Sequence, residues 1–212
     1  MSCLLLSINV GRLQPLAGDG PATGHYKVPQ AGTWQIDSLG LAQDAIADQR
    51  HHGGPDQAVY VYSAQDYAWW EQQLGQKWAF GTLGENLTVS HFPAPPRIGD
   101  CWTIGEVLLQ VTAPRIPCAT LAARLGDGKF VKKFAAANRG GFYARVLRSG
   151  LLEAGQSIIV QAFAGLTVEV DEVFALWHRR RKDRRVLEAA LAAPLGQRAR
   201  QALTRWLLEL AD

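Results

Sequence analysis

Within six consecutive residues, Ala113-Pro114-Arg115-Ile116-Pro117-Cys118, the chain places a thiol three positions after a guanidinium and behind two prolines. The thiolate is the form of cysteine that attacks or ligates, and the permanent charge of Arg115 is close enough in sequence to stabilise it. Each proline fixes its own φ and biases the residue before it away from helix, so Ala113 and Ile116 are expected to be extended and the loop stiff. A stiff loop can aim a thiol. The alternative is an inert, buried cysteine beside a structural turn.

Three further polar loops bounded by glycine or proline carry residues that could join this chemistry: Tyr26-Lys27, His52-Gly53-Gly54-Pro55-Asp56 and Gly84-Glu85-Asn86. Gathered at one end of a fold, the four loops would combine cations, amide donors and one soft sulfur, a set suited to an anionic ligand that carries a soft metal. In Arg50-His51-His52 the paired histidines invite a zinc reading, but adjacent side chains diverge, and His25, His91 and His178 show no ligand spacing, so loop hydrogen bonding is the ordinary role. No dinucleotide fingerprint, phosphate loop, zincin or serine-elbow motif is present, and Gly126-Asp127-Gly128-Lys129 lacks the spacing of a phosphate loop.

The elements that must hold these loops are short strands. Branched and apolar runs at residues 3 to 13, Lys27-Val28, Thr33 to Ile36, Ala58 to Tyr62, Leu87 to Val89, Cys101 to Ile104, Val107 to Thr112, Phe142 to Arg148 and Ser157 to Gln161 read as strands separated by turn residues. The strand before the cysteine ends where Pro114 removes a backbone donor. Ser63 caps a helix of about three turns in which Tyr67, Trp70 and Leu74 recur at helical spacing, and Trp69-Trp70 reads as surface plus core. Thr120 to Leu125 and Lys129 to Asn138 read as helical or irregular, and Leu151 to Gly155 as a turn. Many short strands with inserted helices predict a mainly β fold, a barrel over residues 1–164. After Ala164-Gly165 the chain changes character, and residues 165–212 predict a small all-α segment with helices at Asp171 to His178, Asp183 to Ala192 and Gln197 to Leu210. Ala199, Leu203, Trp206, Leu207 and Leu210 form one apolar stripe on the last helix, which must pack on its neighbours, on the barrel or on a second subunit as a homodimer.

Composition bounds the rest. With 212 residues, 48% of them hydrophobic and 19% charged, the chain is globular and long enough to bury a core. The net charge of +3 is modest, and much of it lies in the run His178 to Arg185. That run could contact nucleic acid or an acidic partner, but a solvated helix end is its ordinary reading, so nucleic acid is not the expected partner. Three cysteines (Cys3, Cys101, Cys118) without C-x-x-C spacing indicate neither a disulfide framework nor a zinc ribbon and suit a reducing cytoplasm. The apolar run Leu4 to Val10 is too short to span a bilayer and follows no basic segment, so it reads as a first strand, not a signal peptide.

The ordered set Gly40-Leu41 with Asp44, His52-Gly53-Gly54-Pro55-Asp56-x-Ala58, Gly84-Glu85-Asn86-Leu87-Thr88, Ile98-Gly99-Asp100 and Pro114-Arg115-x-Pro117-Cys118 resembles the MOSC domain family. With its helical tail the chain is similar to the bacterial YiiM-like group of that family, and the resemblance covers nearly the whole length. It implies a MOSC β-barrel that binds molybdenum cofactor, the molybdopterin dithiolene holding the metal, with Cys118 as a further thiolate ligand to molybdenum. Lys27, His52, Asn86 and Arg115 would then bind or orient the cofactor, its phosphate falling to Lys27 and Arg115, while Asp100 would be a supporting turn residue. The implied activity is reduction of N-hydroxylated bases and amidoximes to the amine, with electrons from a separate redox protein. One departure is Leu41-Ala42-Gln43-Asp44, where the family usually places glycine before the aspartate. Two other functions fit the residues: a metal-free sulfur carrier with a persulfide on Cys118, and a non-enzymatic interaction module acting through the basic tail.

Overall fold

A computed structural model of the chain describes residues 2–48 and 52–210. Arg50 and His51 lie outside the described residues, so the paired-histidine loop is followed from His52 onward. In chain order the elements are β1 (Cys3–Gly11), β2 (Gln14–Pro15), β3 (Ala22–Thr23), β4 (Lys27–Gln30), β5 (Trp34–Asp37), β6 (Gly40–Leu41), β7 (Val59–Ser63), α1 (Ala64–Leu74), β8 (Leu87–Val89), β9 (Cys101–Ile104) and β10 (Val107–Pro114). There follow α2 (Ala119–Arg124), α3 (Phe130–Ala137), β11 (Phe142–Arg148), β12 (Gly150–Leu152), β13 (Ser157–Gln161), α4 (Val170–His178), α5 (Arg184–Ala192) and α6 (Gln197–Glu209).

Seven strands close into a barrel in the order β13-β9-β10-β11-β7-β8-β1, and β1 returns to β13 through Cys3 opposite Ile158 and Leu4 opposite Ser157. The long β1 then pairs its far end with β4, Gly11 opposite Lys27, which delivers Lys27 to one rim. Among the described residues all ladders are antiparallel except β7 with β8, and a parallel pair needs a crossover, which α1 and the following loop provide. Ser63 caps α1 by accepting from the Asp66 amide at 3.1 Å. The register of β10 slips between Val111 and Ala113, and such a bulge re-aims a strand, here into the Arg115 loop.

Local sequence misplaces one feature. Leu151 to Gly155 is not all turn: Gly150–Leu152 is a strand, paired with Ile36 to Trp34 of β5 in a separate three-stranded sheet. That partner lies over a hundred residues away, so nothing local announces it. The basic run takes in the end of α4, the link to α5 and the first residues of α5, and is mostly exposed; within it Lys182 donates to the carbonyls of Leu176 (2.5 Å) and Arg179 (2.8 Å) and sits 4.4 Å from the Trp206 ring centre. Its ammonium satisfies the last carbonyls of α4 and complements their partial negative charge.

One apolar core runs through both parts of the chain. Trp70, Trp102, Tyr62, Phe130, Phe134, Phe142 and Phe174 are fully buried. Trp70 stacks on Phe134 at 6.0 Å, and Phe134 meets Phe174 of α4 at 6.2 Å. Phe174 also packs so closely on Gly140 that a Cβ there would lie 2.9 Å from its ring. The tail helices therefore dock on the barrel and on each other. Phe174→Ala should lower unfolding stability by about 3–5 kcal/mol, the usual cost of emptying a buried phenylalanine site. Urea denaturation checks this, and a loss below about 1 kcal/mol would show that α4 is not part of the barrel's core.

Candidate functional site

Four loops meet at one end of the barrel around a cavity of ≈ 380 Å³, within the range of small-molecule sites. Lys27 comes from the start of β4, His52 from the loop before the 3-10 turn Pro55–Gln57, Asn86 from the residue before β8, and Arg115 from just past β10; all four line the cavity. Cys118 stands beside it, partly buried, in extended conformation immediately before α2. The structure thus brings the sequence-derived residues together. Glu85 does not join them: it points into the core, accepting from the Gly81 amide and from the hydroxyls of Tyr67 and Thr88. Burial raises its pKa, a shift those donors oppose.

The thiol is strongly perturbed. Arg115, only 3% exposed, directs one guanidinium nitrogen to Cys118 Sγ at 3.5 Å and another to its neighbour's carbonyl on Ile116. Its guanidinium carbon lies 5.7 Å from the centre of the Tyr60 ring. Burial by itself would raise the Cys118 pKa. The hydrogen bond with His52, the charge of Arg115 and its hydrogen bond outweigh burial and bring it down to about 5. Arg115 in turn is desolvated, which works against its charge, but Tyr143 and Cys118 hold it protonated and raise its pKa. The hydroxyl of Tyr143 lies 3.5 Å from His52 Nδ1, and that of Tyr60 donates to the Gly140 carbonyl at 2.9 Å. Burial raises the pKa of both phenols, so both remain hydrogen-bond donors at neutral pH.

Lys27 and Asn86 converge on a residue that enters the sequence reading only as a motif position. Asp44 forms a buried ion pair with Lys27, accepts from Asn86 Nδ2 at 2.8 Å and from the Gly11 amide at 2.8 Å. Burial lowers the Lys27 pKa, and Asp44 opposes that shift. The Asn86 side-chain oxygen accepts from the Tyr60 amide at 3.2 Å, so this amide ties the cavity floor to β7. Gln43, where the family usually has glycine, has φ +62, the left-handed conformation that glycine takes without steric cost.

His25 and Arg124 also border this region. Arg124 donates to the carbonyls of His25 and, at 2.9 Å, Gly81, and its guanidinium carbon lies 5.2 Å from the Tyr26 ring centre. His25 Nε2 is buried without a hydrogen-bond partner, and the ring rests on Gly84, where a Cβ would lie 2.6 Å away. Burial, then the charges of Arg115, Arg124 and Lys27, push the His25 pKa well below its ordinary value, leaving a neutral imidazole. Sequence signals for these residues were faint: Tyr60 and Tyr143 sit within apolar strands, and Arg124 lies in a helix without a motif. Asp100 is a turn residue on the far side of the motif set, accepting from the amides of Arg97 (2.9 Å) and Phe163 (3.0 Å).

Among the described residues no group of three or more His, Cys, Asp or Glu side chains could hold a metal ion, all three cysteines are free, and no helix is long and apolar enough to cross a membrane.

Residues 48–159 match the MOSC domain family. The protein YflK of Bacillus subtilis (strain 168) is 37% identical over 157 residues, covering 73% of this chain and 71% of its own length. A protein of Gibberella moniliformis (strain M3125 / FGSC 7600) named reductase is 30% identical over 161 residues, 73% of this chain but 28% of its own. The crystal structure of YiiM from Geobacillus stearothermophilus superposes with a TM-score of 0.81 at 23% identity, over 97% of this chain and 99% of that one, and shows the same fold.

Two measurements check the site. Since its pKa is depressed, Cys118 stays anionic as pH falls until about 5, so the alkylation rate of the Cys118 peptide should be flat above about pH 6 and drop about tenfold per unit below 5. His52→Ala should move the midpoint up by about one unit or more. In urea unfolding, Gln43→Gly should be neutral within about 0.5 kcal/mol, because relief of the left-handed strain offsets the added chain entropy. Gln43→Val should cost at least about 1 kcal/mol.

Proposed function

The chain belongs to the MOSC domain family, and from that premise we propose that it is a molybdenum cofactor-dependent oxidoreductase that reduces N-hydroxylated compounds, such as N-hydroxylated bases and amidoximes, to the parent amine. The observation that carries the reading is the Cys118 thiolate, held by Arg115 and His52 beside a cavity with cationic walls. Among the described residues a bare ion would find too few protein ligands here, whereas a metal that arrives with its own sulfur ligands needs only one more, and a thiolate is the soft donor it prefers. The organic part of such a group requires a cavity of drug-like size, cations for a phosphate, and polar atoms to orient a ring. Lys27, Arg115, Asn86 and the unpartnered His25 Nε2 supply these. The relative named reductase supports a redox role.

In this reading Cys118 Sγ ligates molybdenum, and Arg115 and His52 keep the sulfur anionic. Asp44 fixes the Lys27 ammonium and the Asn86 amide in place. The buried hydroxyls of Tyr60 and Tyr143 stay protonated at the cavity wall. When bound, the cofactor supplies two-electron transfer to the N–O bond. The balance is R–NH–OH plus two electrons and two protons giving R–NH₂ and water. A separate redox protein delivers the electrons, and the free cysteines fit a reducing cytoplasm.

Protein purified from a cofactor-competent host should contain molybdenum and molybdopterin in near-equal amounts, and their joint absence would sink the assignment. Cys118→Ser should fold normally while reductase activity falls about a hundredfold or more, since hydroxyl oxygen is a poor soft-metal ligand. The low pKa also favours a second reading, a persulfide carrier, in which intact mass after mild isolation would show one added sulfur on the Cys118 peptide and no metal.

A further inference from the structure

The C-terminal segment reaches the cavity through one loop. Gly196, at the N-cap of α6, has no side chain to satisfy the helix's first amides, and the barrel does so in its place: Asp56 accepts from the Gln197 amide at 2.7 Å. The same carboxylate pairs with Arg145 at 3.0 Å, and Arg145 also donates to the Pro194 carbonyl at 3.0 Å. The Gly196 amide donates to the Thr112 carbonyl at 2.9 Å, while the Thr112 hydroxyl donates to the Asp56 carbonyl at 2.5 Å. At the second residue of α6, Arg198 donates to the Gly53 carbonyl and to Gln57 Oε1, both at 2.7 Å. These bonds span the turn that follows His52. Gly53 and Gly54 have φ of +70 and +81, so the turn has no side chains of its own to stiffen it. Its geometry must come from outside.

We propose that Arg198 is a positioning residue of the cavity: by clamping Gly53 and Gln57 it holds the His52 imidazole against Cys118 and Tyr143. The tail is then a structural part of the site, and Arg198 joins α6 to the His52 loop across sequence separations of 141 and 145 residues. The bonds from Arg198 to Gly53 and Gln57 act on the turn that carries His52, while its charge also reaches Tyr143.

The test compares Arg198→Met, which keeps the aliphatic stem, with Arg198→Lys, His52→Ala and the double variant Arg198→Met/His52→Ala in the full-length, metal-free protein. The readout is the iodoacetamide alkylation rate of the Cys118 peptide at one fixed pH of about 5, near the thiol's midpoint, where a shift in that midpoint changes the thiolate fraction most. Thiol chemistry needs no reductase activity, so this result stands apart from success or failure of the reductase assignment. Arg198→Met should shift the rate at least threefold, in the direction of His52→Ala, and should add less than about 1.5-fold on the His52→Ala background, because residues acting through one contact are not additive. Arg198→Lys should recover half or more of the shift. If Arg198→Met proves poorly folded, Gln57→Leu, which removes one acceptor and leaves the tail intact, should shift the rate in the same direction by a smaller factor. A wild-type rate in Arg198→Met or Gln57→Leu, or a shift fully additive with His52→Ala, would overturn the proposal.

Discussion

A sulfur anion beside a protein cavity persists only if positive charge and donors are held against it more firmly than water would hold them. For Cys118 that counter-charge is Arg115, which cannot swing away. Its guanidinium is bonded to the next carbonyl in its own loop and lies near Tyr60. Its backbone carbonyl packs against Gly140, the residue on which Phe174 rests. The two prolines limit the loop further. Much of the surrounding architecture serves this one pairing: a β-bulge to aim the loop, a small residue to let the tail approach, and a core aromatic to press the loop in place.

The closed barrel is what makes several such loops meet. Because β1 pairs with β8 on one edge and with β13 and then β4 on the other, its far end delivers Lys27 to the rim that receives Asn86 from β8. Asp44 then ties Lys27, Asn86 and the Gly11 amide into one buried unit. An unpaired carboxylate there would be costly, so the three groups hold one another in register. At Gly84 a positive φ and the adjoining His25 ring leave no room for a side chain. The cavity is thus shaped by backbone approach as much as by side chains.

The tail belongs to this economy of contacts. Its last helix lacks a cap of its own and takes Asp56 from the barrel, while the barrel's glycine turn lacks rigidity and takes Arg198 from the tail. Each part supplies what the other is missing. The Trp177–Trp206 contact and the Lys182 cap close the helices on themselves, leaving their inner faces to Phe134 and Phe174.

By itself the sequence determined the element types and the chemistry of the loops. Branched runs and turn residues mark the barrel strands, the Ser63 cap marks α1, and Pro114 through Cys118 marks a stiffly aimed thiol near a cation, because these are properties of neighbouring residues. The tertiary structure alone decided what faces what. It turned Glu85 into the core and joined Asp44 to Lys27 and Asn86. It made a strand of Gly150–Leu152 by pairing it with β5, and it set Arg198 on the His52 turn. Those outcomes depend on contacts between residues far apart in the chain, where burial and charge compensation, not local propensity, set the energy.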